Sequence, residues 1–349
     1  MKRVLFAILF WLGLVTCAYA QADEITITLG GDCVLGTREE WKEEQDTFDS
    51  CIASKGFAYP FSKLAEVFQK DDISLINLEC VLQETNRGHD HQKQHTFRGQ
   101  PGYAQMLLHA GIEQVNLANN HTVDYTRSGM KATIEALEAA GVAYSGNKHL
   151  YVYEKNGHRI GFGGCRETTF LGSKPTVYRD IQKLKKMGCD VIVYSCHWGK
   201  EYSPTHNGTQ ERMAQYAINS GADLVVGTHP HVVQGIETRK NSDGTRNAMV
   251  LYSLGNLVFG GTHEMKTFDA MLAQATLRFD NDGTYLGVKI SLLPVLTSAS
   301  APANDFCPIL ATGEDAQRIL ELVQADSEMN LEEEIWAESA VDDTKLEVS

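Results

Sequence analysis

Asp32, Glu79, Asn120, His121, Asp124, His197, His229 and His231 are the residues whose types and spacing could do chemistry in this sequence. His229 and His231 stand two apart in GTHPHVVQG (227–235), directly after the apolar run ADLVV (222–226), which reads as a buried strand. A strand that ends in His-x-His delivers two imidazoles to one sheet edge, where they can share a metal ion. The others also follow strand-like runs: Asp32 in GGDC, Glu79 in NLEC, Asn120, His121 and Asp124 in LANNHTVDY (117–125), and His197 in SCHWGKEY (195–202). Two carboxylates, a carboxamide and three imidazoles suit a pair of divalent ions such as Mn, Zn or Fe, with one carboxylate able to bridge them. Taken singly, each has a structural alternative: Asp32 as a turn cap, Asn120 as a loop backbone partner, His197 as a hydrogen-bonded core histidine. Five segments that agree in strand-end placement argue for one site.

The elements that must position these residues alternate along the chain. ITITLGG (25–31), ISLINLE (73–79), IEQVNLANN (112–120), CDVIVYSCH (189–197) and ADLVVGTH (222–229) read as strands that run into loops. Between them, FSKLAEVFQKDD (61–72), PGYAQMLLHAG (101–111), SGMKATIEALEAAG (128–141), DIQKLKKMG (180–188) and TQERMAQYAINSG (209–221) read as helices, several stopped by glycine. Asn156-Gly157, Asp243-Gly244 and Asp282-Gly283 each sit between β-rich runs and mark hairpins. Such alternation implies an α/β core on large sheets, with ligands beyond the strand ends. The double glycine before Asp32 is expected to turn the backbone sharply. Residues 37–60 read as a surface excursion, and HDHQKQHTFRG (89–99) as a solvated loop in spite of its three histidines.

Composition supports a globular chain: of 349 residues, 43% are hydrophobic and 22% charged, with no low-complexity block. Lys2 and Arg3, the apolar run 4–15 and Ala18-Tyr19-Ala20 form the pattern of a secretion signal over 1–20. Export to the periplasm, the medium or the cell surface is therefore expected. The rest, 21–325, reads as one domain, and the acidic stretch 326–349 as a helix or a disordered tail. The net charge of −14 grows more negative still without Lys2 and Arg3, and no basic cluster interrupts it, which argues against a nucleic-acid partner. Seven cysteines follow Cys17 with no CxxC pair, so a thiolate zinc site is not expected. Export would permit a disulfide, Cys33–Cys51 being conceivable, while Cys33, Cys80 and Cys196, beside the candidate ligands, read as packing residues.

The segments GD (31–32), INLE (76–79), LANNHTVDY, HWGKEY (197–202), GTHPHVVQGIE (227–237) and YSLGNLVF (252–259) resemble those of the CapA, or poly-γ-glutamate capsule biosynthesis, family, which is similar to calcineurin-like metallophosphoesterases. The resemblance covers about residues 25–295 and implies an α/β/β/α sandwich of two packed mixed sheets flanked by helices. It implies two divalent metals held by Asp32, Glu79, Asn120, His197, His229 and His231. Val34 stands where the family pattern of phosphoesterases has a histidine, leaving one metal position weak, empty or filled by Glu201. His121 would serve as acid with Asp124 orienting its ring. Glu201, Gln234 and Asn256 would support the ligands or contact substrate. Metal-activated water would then attack a phosphoester or a γ-glutamyl amide. The alternative is an accessory protein for synthesis, export or anchoring of an anionic polymer, in contact with membrane-associated capsule machinery.

Overall fold

A computed structural model describes residues 23–262 and 264–340. The segment expected to be the secretion signal and the last nine residues lie outside the described residues. The first sheet contains β1 (Asp23–Val34), β3 (Ile73–Leu78), β6 (Gln114–Asn116), β7 (Ala143–Ser145), β14 (Asn256–Phe259), β15 (Asp269–Phe279), β16 (Tyr285–Leu296), β17 (Ile309–Leu310) and β18 (Ile335–Glu338). Its order is β17-β16-β15-β1-β3-β6-β7, with β14 beside the C-terminal end of β1 and β18 beside β16. The second sheet has the order β12-β13-β11-β10-β9-β8, built from β8 (Tyr151–Lys155), β9 (His158–Arg166), β10 (Val191–His197), β11 (Leu224–Thr228), β12 (Ile236–Lys240) and β13 (Asn247–Leu251). β2 (Thr37–Arg38), β4 (Val81–Leu82) and β5 (Phe97–Gly99) form a small third sheet.

Strand parity sorts the core into three layers. Ile25, Ile27 and Leu29 of β1 and Ile73 and Leu75 of β3 meet Ile160, Phe162, Val191 and Val193 of the second sheet, so the two sheets pack face to face. Alternate residues, Ile76 and Leu78, face the helices α1 (Phe48–Lys55), α2 (Ala65–Phe68), α3 (Ala104–Ala110) and α4 (Thr126–Ala140). On the far side Ile192, Tyr194 and Cys196 face α5 (Glu167–Gly172), α6 (Pro175–Lys186) and α7 (Gly208–Ser220). α8 (Gly313–Ala325) covers β16 through Ile319 and Val323. This is a metallophosphoesterase-like α/β/β/α sandwich, as expected. Each fully buried Ile, Leu or Val contributes roughly 1.5–3 kcal/mol, so the inter-sheet layer and the helix-facing layer of the first sheet both contribute heavily to stability.

Local sequence signals act where expected. α4 stops at Gly141 and α7 at Gly221, both in the left-handed region at φ 74° and 116°. α7 starts with a capping box in which the Asn207 side chain accepts from Gln210 N and the Gln210 side chain accepts from Asn207 N. All three expected hairpins form, as β8–β9, β12–β13 and β15–β16.

Several expectations are corrected. The helix over 61–72 shrinks to the one turn of α2, because most of 56–64 folds as turns that bury Phe61 and Leu64. The excursion at 37–60 is anchored, with Phe48 and Ile52 buried and β2 paired to β5. The acidic stretch after α8 is neither helix nor disorder through residue 340. It supplies β18, whose Ile335 and Ala337 bury against β16 and outweigh the local charge. Cys33 and Cys51 are unpaired, as are all described cysteines, and Cys33, Cys80 and Cys196 are buried.

Candidate metal centre

Both sheets send their chemistry-bearing residues to the same end of the sandwich. In β10 the inward row Val191, Val193, Ser195 continues to His197, so plain alternation delivers this imidazole between the sheets. β1 needs a further device. Its register with β3 pairs Leu29 with Leu75 but Asp32 with Asn77, so one extra residue bulges out between them. The bulge puts Asp32, three residues on, on the inward face that Leu29 occupies. Gly30 and Gly31 serve this packing rather than a turn. A Cβ on Gly31 would lie 1.9 Å from the Gly255 carbonyl oxygen, and one on Gly30 would lie 2.9 Å from Ile76 and Leu257.

Asp32, Glu79 and His197 form one triad of metal-ligating atoms, and Glu79, His229 and His231 a second, each within 4.8 Å and sharing Glu79. Asp32 and Glu79 are fully buried. Asn77 Nδ2 donates to Asp32 Oδ1 at 2.7 Å, while Asn77 Oδ1 accepts from Asn116 Nδ2 at 3.0 Å and Asn119 Nδ2 at 3.1 Å. His229 N–H donates to Asp32 Oδ2 at 3.0 Å, and His231 Nδ1 lies 3.2 Å from the same oxygen. His231 Nδ1 also donates to Asn256 Oδ1 at 2.9 Å, which leaves its Nε2 as the free ligand atom. His197 Nε2, Asn120 Oδ1 and Glu79 Oε1 converge, with His197 2.7 Å from the carboxamide and 3.4 Å from the carboxylate.

Five observations fit a divalent centre. Glu79 Oε1 and His229 Nδ1 are buried without a hydrogen-bond partner, and such orphans are costly unless something else satisfies them. Burial and the Asp32 charge push the Glu79 carboxyl well above its usual range. Burial would raise Asp32 too, but the His231 contact outweighs it and holds that carboxyl below its usual range. Burial and neighbouring imidazoles depress His197 and His229, favouring the neutral, ligating form. His229 and His231 both adopt positive φ, 100° and 59°, a conformation that costs about 1–3 kcal/mol for a non-glycine residue and collects at functional sites.

Around this cluster, His121 Nδ1 lies 2.8 Å from Asp124 Oδ2, and its ring packs on Phe97. Asp124 also accepts from Phe97 N at 2.8 Å and Lys93 Nζ at 2.6 Å. The loop at 89–99 is therefore docked rather than solvated: β5 pins its end, Lys93 finds a buried carboxylate, and the His89 ring stacks on Tyr125. A cleft of about 180 Å³ over the cluster is lined by His121, His231, Glu201, Arg38, His95 and Lys266, among others. Glu201 thus stands at the mouth. Gln234 does not reach the ligands: it accepts from Gln210 Nε2 at 2.9 Å and donates to Ser203 O, bracing the loop behind them. Val34 is fully buried in the helix-side apolar cluster, with Phe259 and its contact to the His231 ring nearby. Asn77, Asn116, Lys93 and Thr228, whose Oγ1 lies 3.0 Å from His197 Nδ1, had no role assigned from the sequence, although Asn77 lies in INLE and Thr228 in GTHPHVVQG.

A two-sheet sandwich with carboxylates and imidazoles gathered at the strand ends defines a metallophosphoesterase-like protein. The profile of the bacterial capsule synthesis protein family PGA_cap matches residues 26–261, and the chain belongs to that family. It is 28% identical over 297 residues to the capsule biosynthesis protein CapA of Bacillus anthracis, covering 77% of this chain and 68% of the relative. The identity to the PGA biosynthesis protein CapA of Bacillus subtilis is also 28%, over 75% of this chain and 70% of the relative. A probable polyglutamine synthesis accessory protein of Mycobacterium tuberculosis is 22% identical across 79% of this chain and 86% of its own.

Proposed function

We propose that this chain is an exported, divalent-metal-dependent hydrolase of poly-γ-glutamate or capsule metabolism, acting on a phosphoester or a γ-glutamyl amide. The observation that carries the reading is the pair of ligand triads sharing Glu79, with orphaned atoms on Glu79 and His229. Bound divalent ions would supply a nucleophilic oxygen from water and neutralise charge on the oxyanion. The chain's own residues do the rest. Asp32 and Asn77 set the carboxylate geometry, and Asn256 fixes the His231 tautomer. His121 lines the cleft with its ring held by Asp124, placed to pass a proton to the leaving group. The apolar run 4–15 and the small residues Ala18 and Ala20 support export, where capsule machinery at the membrane would be its neighbour.

A second reading, an accessory protein that binds metal or an anionic polymer without turnover, is favoured by Val34 at the missing histidine position and by the name of the mycobacterial relative. Metal analysis of the mature protein, with hydrolysis assays on aryl phosphodiesters and γ-linked glutamate oligomers, separates the two. Stoichiometric metal with turnover abolished in Glu79→Gln and His229→Ala supports the hydrolase. No metal, and no loss in those variants, sinks it; metal without turnover supports the accessory reading.

A further inference from the structure

We infer that the cleft lined by Arg127, Lys131 and Arg166 is a subsite for an anionic group of the substrate chain, next to the bond presented to the candidate metal centre. The inference rests on the proposed function for the word substrate, but its geometry is independent of turnover. Arg166 ends β9 as the register partner of His197 on β10. Paired residues on neighbouring parallel strands share a face and stand about 4.8 Å apart. Arg166 thus extends the inward row of Ile160 and Phe162 to the metal-facing end of the sheet.

Arg166 borders two spaces at once. One, of about 140 Å³, also touches Asn120, His197 and His229. The other, of about 330 Å³, has nine lining residues, of which Arg127, Lys131 and Arg166 are cations and none is a carboxylate. In a chain of net charge −14 such a concentration of one sign needs a cause. Arg127 and Lys131 sit one turn apart on α4, so they project to the same side. Among the described residues neither Arg127 nor Arg166 makes a side-chain hydrogen bond or an ion pair, and Arg166 is half-buried. Lys131 pairs only with exposed Glu135 of its own helix, a contact that solvent screening leaves weak. A half-buried guanidinium without an anion is an incomplete arrangement, and a fork of N–H donors matches a carboxylate or a phosphate in two-point fashion. The two spaces share Arg166 and are lined by the neighbouring residues Asn119 and Asn120 of one loop, so a chain spanning them would bring one bond to the ligand triads and an adjacent anionic group to Arg166.

Calorimetric titration of the full mature protein with a γ-linked glutamate hexamer, the equivalent γ-linked glutamine hexamer and tripolyphosphate tests this. Arg127→Gln/Arg166→Gln is expected to weaken hexamer binding by at least about tenfold, the scale of one charged hydrogen-bond pair. Lys131→Gln, at an exposed position, should weaken it by about threefold, and the neutral hexamer should bind wild type poorly. Metal content is expected to stay at the wild-type level in all variants, since none of the three is a ligand. Arginine-dependent binding of tripolyphosphate in place of the hexamer would retain the subsite and assign it to phosphate. Arginine-dependent binding without turnover of any substrate would keep the subsite and remove the hydrolase reading. Hexamer and tripolyphosphate affinities unchanged in every variant, or neither probe binding wild type, overturns the inference.

Discussion

Asp32 of the first sheet accepts the backbone N–H of His229 at 3.0 Å, a bond across 197 positions to the loop that follows β11 of the second sheet. The same carboxylate takes Asn77 on its other oxygen, so each sheet occupies one of its two oxygens. It is a structural tie as well as a candidate ligand.

Glu79→Gln should separate those two roles. Without metal the variant is expected to be at least as stable as wild type, because it removes a carboxyl whose ionisation burial and the Asp32 charge oppose. With metal, wild type should gain stability by mass action, about 4 kcal/mol at a thousandfold excess over Kd, and the variant should gain little. Thermal melts with and without Mn or Zn read both effects.

Asn77→Ala leaves Asp32 Oδ1 and the amides of Asn116 and Asn119 short of a partner. A loss of about 1–3 kcal/mol in denaturant unfolding is expected, with metal affinity down by about 10–100-fold. Unchanged metal affinity in a folded variant would remove Asn77 from the supporting shell.

Gly31→Ala would drive a Cβ into the Gly255 carbonyl and push apart β1 and β14, which pair in parallel from Asp32 to Val34. Overpacking of this kind costs about 1–3 kcal/mol or more, read by chemical denaturation. Gly141→Ala, at a helix end with open space, carries only the penalty of its positive φ and serves as a control.

His121→Gln and Asp124→Asn should lower turnover by about 10²–10⁴-fold in the first case and less in the second, with metal content unchanged. Elemental analysis alongside the assay distinguishes proton transfer from lost ligation.

His206 stacks on Tyr252 and lies 2.9 Å from Asp326, tying the loop after β10 to the end of α8. Burial alone would depress this imidazole, but the Asp326 hydrogen bond and charge prevail and raise it above 6.5. The folded state then holds a proton the unfolded chain releases. The contribution is full below pH 6.5 and fades as pH rises through the raised value. Melting curves over pH 5–9 should show this loss in wild type and a flatter profile in Asp326→Asn.

The strand–helix alternation along the chain and the five ligand-bearing segments were readable because apolar runs break at polar residues in the same relative place. His197 follows from parity alone. Asp32 does not, since a bulge leaves no mark beyond two glycines, and those suggested a turn. Asn77 hid inside an apolar strand, where one amide looks like a tolerated polar residue. Lys93 and β18 lie in charged stretches whose partners are remote in sequence, Asp124 for the lysine and β16 for the strand. Local composition cannot report such pairings.

The two histidines with positive φ close the second sheet's side of a cluster whose first member sits near the chain's start. A fragment that stops before residue 229 lacks both, and one that starts after residue 32 lacks the carboxylate they contact. An ion held by both triads would therefore report that the two sheets have closed on one another.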